Sequence, residues 1–400
     1  MRILTFVALI TVIIYGCGNN ATNNDESADT NYSPPWSVRM AQSTMKRYPE
    51  AWMMEGRTKP KWSYSHGVTL LGFEALWKKT GENKYLQYII DYADTCIRPD
   101  GSIINYSLEE YNIDRVSNGK FLMDLYEVTG TEKFRIAVNT LKKQMETHPR
   151  TSEKGFWHKK RYPWQMWLDG IYMASPFLAE YAEKMNEPIL FDDIANQVTL
   201  IYKKTKDPKT GLLYHAWDEK KQQSWCNPET GQSKNFWGRA MGWYTMAIVD
   251  VLDYLPENHP KRQEIINIFN EVTKAIIKVQ NDSTGLWYQV LDQGGREGNY
   301  FECTVACMFT YSMLKAIRMG YIDEKYLPNA EKAYKGILDN LVVIDPDGEI
   351  HLSQCNSVAG LSDDRPGTYE YYIHEAVGMD DPKGVGPFIL ASLEMENLKN

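Results

Sequence analysis

Apolar residues recur at helical spacing along most of this chain. In the segment 132–147, Phe134, Ala137, Val138, Leu141 and Met145 follow an i, i+3, i+4, i+7, i+11 pattern, which puts them on one face of a helix. Charged, amphipathic segments of this kind lie at 37–54, 83–97, 132–147, 191–205, 261–280 and 328–342. A second set is more apolar all round and richer in small residues, at 67–79, 115–128, 170–184, 239–254, 303–319 and 386–397. A helix apolar on most faces is buried, so the first set predicts outer helices and the second inner ones.

The two kinds alternate, and the punctuation between them repeats. Gly81-Glu-Asn-Lys-Tyr85 and Gly130-Thr-Glu-Lys-Phe134 each follow a segment ending in Thr-Gly, where glycine closes a helix. Turns at Asp100-Gly101, Lys154-Gly155, Thr210-Gly211, Thr284-Gly285 and Asp347-Gly348 each lead into a short aromatic or β-branched stretch, with Gly56 before Trp62-Ser63-Tyr64 a weaker sixth. Units that each expose an apolar face must stack to bury it. Six outer helices, six inner helices and a long loop per pair predict an all-α (α/α)6 barrel over residues 37–400. An open helical solenoid is the alternative, and the unequal loop lengths favour the closed ring.

In such a ring the loops before the inner helices gather at one end, over helix N-termini whose partial positive charge suits an anionic ligand. The candidate chemistry is concentrated there. The third loop runs Phe156-Trp-His-Lys-Lys-Arg-Tyr-Pro-Trp-Gln-Met-Trp-Leu-Asp-Gly170, and the fourth carries His215, Trp217, Trp225, Trp237, Arg239 and Trp243. Aromatic faces that stack on a sugar ring, beside Arg and Lys that hold a carboxylate, point to an acidic carbohydrate. Asp169 opens an inner helix among Trp164, Met166 and Trp167. An apolar setting raises a carboxyl pKa and makes a general acid, although an N-cap role accounts for the same position. A nearby second carboxylate, such as Asp114, is expected to raise one of the two further. Trp237 and Trp243 equally suit a core, Arg239 a structural ion pair, and His158, Lys159 and His215 ordinary loop roles.

The composition agrees with this picture. The 400 residues are 43% hydrophobic, too apolar for a disordered chain, and the net charge of −8 excludes a nucleic-acid binder that works through bulk positive charge. The 12 Trp and 26 Tyr are the aromatic excess that the loops concentrate. Met1-Arg2 and the apolar run from Ile3 to Tyr15 make a signal peptide, too short to span a bilayer comfortably. Ile14-Tyr15-Gly16-Cys17 resembles a bacterial lipobox with Cys17 as the lipidated residue, and Tyr15, in place of a small residue, leaves simple cleavage as the alternative. Residues 1–17 then form the signal segment, 18–36 a polar tether, and 37–400 the catalytic domain. The expectation is an exported bacterial lipoprotein, periplasmic or outer-membrane-anchored, which meets the membrane only through its anchor. Cys303 and Cys307 share a helix face but fall short of a four-ligand zinc site, and buried thiols are expected. His374-Glu375 starts a zinc-protease pattern that Gly378 breaks.

At these residues the chain resembles the unsaturated rhamnogalacturonyl hydrolases of glycoside hydrolase family 105. The likeness rests on Tyr162-Pro-Trp-Gln-Met-Trp-Leu-Asp-Gly-Ile-Tyr-Met173 and Phe236-Trp-Gly-Arg-Ala-Met-Gly-Trp-Tyr244, with Gly285-Leu-Trp-Tyr-Gln-Val290 and Gly367-Thr-Tyr-Glu-Tyr-Tyr372 in support. The resemblance implies the (α/α)6 barrel and a substrate with a 4,5-unsaturated uronic acid at its non-reducing end. It implies Asp169 as acid/base catalyst, Asp114 as the second carboxylate, and His158, Lys159, His215, Trp237, Arg239 and Trp243 as pocket residues. The implied chemistry hydrates a vinyl ether and calls for no metal or cofactor. Unsaturated glucuronyl hydrolysis of glycosaminoglycan-type fragments, a non-catalytic surface glycan-binding lipoprotein and an inverting glycosidase are the competing readings.

Overall fold

Helical hairpins follow one another from Trp36 to the end of the chain: α1 (Trp36–Arg47), α2 (Tyr64–Thr80), α3 (Asn83–Cys96), α4 (Gly119–Thr129), α5 (Glu132–Glu146), α6 (Leu168–Lys184), α7 (Leu190–Thr205), α8 (Gly238–Val251), α9 (Arg262–Lys278), α10 (Cys303–Arg318), α11 (Leu327–Asn340), the short α12 (Tyr369–His374) and α13 (Pro382–Asn397). The computed structural model describes residues 33–398. The signal segment, Cys17 and most of the tether lie outside the described residues. No helix among the described residues is long and apolar enough to cross a membrane.

Packing follows the two hydrophobic patterns. α5 buries Phe134, Ala137, Val138, Leu141 and Met145, the face its spacing predicts. α8 is buried along its whole length, and α10 is buried at every residue except Arg318. The inner helices form a closed ring: α2 packs on α4, α4 on α6, α6 on α8, α8 on α10, α10 on α13, and α13 back on α2. The architecture is the (α/α)6 barrel, and the strands among the described residues are short two-stranded ribbons in the loops.

The last seam depends on Gly386. A Cβ there would lie 2.2 Å from the Val68 carbonyl oxygen, so only glycine lets α13 and α2 approach this closely. The last inner helix, predicted over 386–397, also takes in Gly384. α13 starts four residues early because Pro382 suits the first turn and the Asp381 carboxylate accepts from Lys383 N. Two other boundaries differ. The first outer helix stops at Arg47, and a separate 3₁₀ turn spans Ala51–Gly56 with Glu55 at φ 60°. The second inner helix starts at Gly119, because Asn112 caps a separate 3₁₀ turn over Ile113–Arg115.

The repeated glycine turns are left-handed at Gly101, Gly211, Gly285 and Gly348, while at the third repeat Lys154 takes positive φ in place of Gly155. All five cysteines in the described region are buried and free.

Candidate active site

The functional candidates lie in the loops that lead into the inner helices or in the first two turns of those helices, so the ring itself gathers them. Short ribbons set their register. β1 (Gln165–Trp167) pairs antiparallel with β2 (Ala216–Asp218), matching Trp167 with Ala216. Leu168 N donates to the His215 carbonyl at 3.1 Å, which brings His215 to the first turn of α6. There His215 Nε2 lies 3.2 Å from Asp169 Oδ2, close but not aligned as a hydrogen bond. The other ring nitrogen, Nδ1, is 2.8 Å from the Tyr372 hydroxyl.

A second pairing holds Asp114. Asn112 bridges Lys159, and Ile113 N donates to the His158 carbonyl at 3.3 Å. The Asp114 carboxylate then meets Lys159 Nζ at 2.5 Å and His158 Nε2 at 3.4 Å. Burial pushes the Asp114 carboxyl up, and Lys159, His158 and Arg115 outweigh it, so its pKa lies below the usual value. Of the two carboxylates, Asp114 is therefore not the one whose pKa is raised, because Lys159 and Arg115 lie against it. Burial lowers the His158 pKa to about 4 despite the pull of Asp114. The Asp169 carboxylate and His215 also act on the His158 ring, so the two acidic groups belong to one site.

Aromatic rings build the walls. Trp167 stacks on His158 with centroids 4.4 Å apart and meets His215 edge-on at 5.3 Å. Tyr162 lies parallel to Trp167 at 5.0 Å and to His158 at 6.4 Å. Across the site Trp237 faces His215 at 4.7 Å and stacks on Tyr372. Trp243 is buried, with its ring against Tyr64 at 6.3 Å and Tyr172 at 4.9 Å. Trp164, close to Asp169 in sequence, pairs instead with Trp157 and Lys220.

Arg239 is the electrostatic anomaly. It is 1% exposed, lies over the Trp237 ring at 4.8 Å and donates from Nη1 to the Asn356 carbonyl, yet makes no ion pair among the described residues, and its Nε has no partner. A buried guanidinium without a carboxylate is costly unless an anion completes it. The structural ion-pair role considered from sequence is not what it performs here. The site thus combines a carboxylate at a helix start, a paired anionic Asp114 and an uncompensated cation on an aromatic floor. That set can transfer a proton beside a bound carboxylate. Among the described residues no group of three or more His, Cys, Asp or Glu is arranged to hold a metal ion.

Tyr64, Tyr372 and Asn356 do not stand out in the sequence as candidates. Tyr64 is the first residue of α2, and burial and the Asp114 carboxylate both push its phenol up, which places it at the site. The weak sixth turn before it was the available signal. Tyr372 lay within a motif that carried the family resemblance, but nothing local showed its partner.

Comparison with known proteins identifies the family. The sequence profile of Glycosyl Hydrolase Family 88 matches residues 36–399. A solved glycoside hydrolase from family 105 of C. acetobutylicum superposes with a TM-score of 0.88 at 45% identity, covering 91% of this chain and 100% of its own. The unsaturated rhamnogalacturonyl hydrolase YesR of Bacillus subtilis is 26% identical over 295 residues, which is 72% of this chain and 78% of YesR. Carrying that profile across its whole barrel, the chain is a glycosidase and belongs to Glycosyl Hydrolase Family 88, on the same fold as the family 105 enzyme.

Proposed function

We propose that this protein releases the 4,5-unsaturated uronic acid from the non-reducing end of lyase-generated rhamnogalacturonan oligosaccharides. The observation that carries the reading is Arg239: a buried, unpaired guanidinium on the Trp237 face, in the same pocket as Asp169 and His215. A planar uronate carboxylate matches its fork, and the flat unsaturated ring matches the aromatic floor. Similarity to YesR supports the rhamnogalacturonan substrate.

In the proposed mechanism Asp169 gives its proton to C4 of the C4=C5 bond. Positive charge develops at C5 and is shared with the ring oxygen. Water adds at C5 and loses a proton to the Asp169 carboxylate, which restores the acid. The resulting hemiketal opens and the glycosidic bond breaks. Asp114, held anionic by Lys159, stabilises the developing positive charge. One residue gives and regains the proton, so the separation rule for paired carboxylates of ordinary glycosidases does not apply. The start of the chain supports export: Met1-Arg2 and the apolar run to Tyr15 form a signal segment, and Cys17 is the lipid attachment point of a periplasmic or outer-membrane-anchored enzyme.

The test is a panel of unsaturated disaccharides read by loss of the ultraviolet absorbance of the conjugated double bond. Loss on rhamnogalacturonan products is expected. No loss on any member rejects the reading, and loss confined to glycosaminoglycan-type members replaces rhamnogalacturonan with that class.

A further inference from the structure

We infer that Tyr372 is a positioning residue, which through His215 sets the oxygen of Asp169 that carries the catalytic proton. The inference rests on the proposed role of Asp169. Tyr372 is fully buried in α12 and held on three sides: its ring stacks on Trp237 with centroids 5.9 Å apart, its backbone carbonyl accepts from Gln289 Nε2 at 3.1 Å, and its hydroxyl lies 2.8 Å from His215 Nδ1. Gln289 Oε1 in turn accepts from Trp237 Nε1 at 3.2 Å, so the ring and the backbone of Tyr372 are fixed by one connected pair.

The direction of the hydroxyl bond follows from what surrounds it. Burial, with Tyr371 and the Asp169 carboxylate, pushes the phenol well above its ordinary pKa, so it keeps its proton. Among the described residues His215 Nδ1 is the only hydrogen-bond partner of that hydroxyl. The phenol therefore donates, and Nδ1 accepts. A neutral imidazole that accepts at Nδ1 carries its hydrogen on Nε2. That N–H is the one 3.2 Å from Asp169 Oδ2.

An oxygen this close to an N–H is placed to accept from it and not to hold a proton of its own. The acid proton of Asp169 then sits on Oδ1. When it leaves for the substrate, the Nε2–H lies 3.2 Å from the oxygen on which charge remains. With the opposite tautomer, Nε2 would accept from Asp169 and take the acid proton away from the substrate. The relay Tyr372–His215–Asp169 thus selects the productive arrangement without Tyr372 touching the substrate.

The deciding measurement is the tautomer of His215 by long-range ¹H–¹⁵N NMR of histidine-labelled protein, with the resonance assigned by its loss in His215→Gln. A protonated Nε2 and a bare Nδ1 in the native protein are expected, and the reverse overturns the proposal. Tyr372→Phe keeps the stacked ring and removes the hydroxyl. It should convert the His215 signal to a tautomer mixture and shift the acid limb of the pH–rate profile. It should also lower kcat by about 10- to 100-fold with little change in KM, the range typical of lost outer-shell partners. A purely structural role predicts a lower melting temperature with tautomer and pH profile unmoved, and that result overturns the proposal. The spectrum of the native protein decides the tautomer even if the variant fails to fold. Absence of turnover on every unsaturated uronide would reject the proposed function and leave the tautomer assignment standing.

Discussion

Lys159 Nζ and Asp114 Oδ2, 2.5 Å apart, form the ion pair that keeps the second active-site carboxylate charged. Both are largely buried, and the pair outweighs the burial that alone would push the Asp114 carboxyl up. Lys159→Met should therefore raise the Asp114 pKa. Activity would be lost at a higher pH on the acid side, and kcat/KM near neutrality would fall by about 10-fold, or ~1.4 kcal/mol. A pH–rate profile of the variant checks this. An unmoved acid limb would show that catalysis does not need an ionised Asp114.

Arg239 offers a test based on charge. Wild-type enzyme should prefer an unsaturated uronate strongly over its neutral methyl ester, because only the anion completes the buried guanidinium. Arg239→Met removes the cation, and the preference should collapse, with kcat/KM for the acid down by roughly 10²- to 10³-fold, the ~3–4 kcal/mol typical of a truncated buried charge pair. Competition between acid and ester in one reaction measures the ratio. Equal discrimination by both proteins would mean that the carboxylate binds elsewhere.

The barrel was legible because each helix reports its own face. Phe134 through Met145 announce an outer helix by spacing alone, and the mostly apolar, small-residue-rich sequence of α8 announces an inner one. Asp169 and Arg239 were legible because they open inner helices beside tryptophans. What stayed hidden is contact between loops. Tyr372 is 157 residues from His215, and Asn356 is 117 from the arginine that its carbonyl holds, so no local pattern encodes either. What surrounds Asp114 was hidden too, since its pairing with Lys159 depends on a bridge to the third loop. The same limit applies to Gly386, whose need for glycine comes from a helix far earlier in the chain.

That seam gives a stability prediction. Gly386→Val adds a side chain whose Cβ would meet the Val68 carbonyl at 2.2 Å, a backbone atom that cannot swing aside. α2 and α13 must separate, and overpacking of this kind costs about 1–3 kcal/mol or more. Urea denaturation should show a lower midpoint. An unchanged midpoint would mean that the ring closes with slack at this position.

Acid should unfold the barrel partly through buried histidine. His148 is 3% exposed, its Nε2 is 2.8 Å from the Trp157 carbonyl oxygen, and its ring meets Tyr111 and Phe156 edge-on. Burial lowers its pKa from 6.5 to about 4, the carbonyl only partly opposing. Between these values the unfolded chain binds a proton that the folded chain refuses, so stability is full above pH 6.5 and declines as pH falls toward 4. Glu180 has the opposite sense. Burial and Asp124 raise its pKa from 4.5 to about 7, so the folded chain holds the extra proton and stability declines as pH rises through that window. His148→Gln should therefore flatten the acid side of the stability curve, and Glu180→Gln the side approaching neutrality, each by roughly 1–3 kcal/mol across its window. Denaturant melts of both variants at pH 4.5, 6 and 8 separate the two effects, because only these opposite signs make the curves of the two variants diverge from wild type in opposite directions.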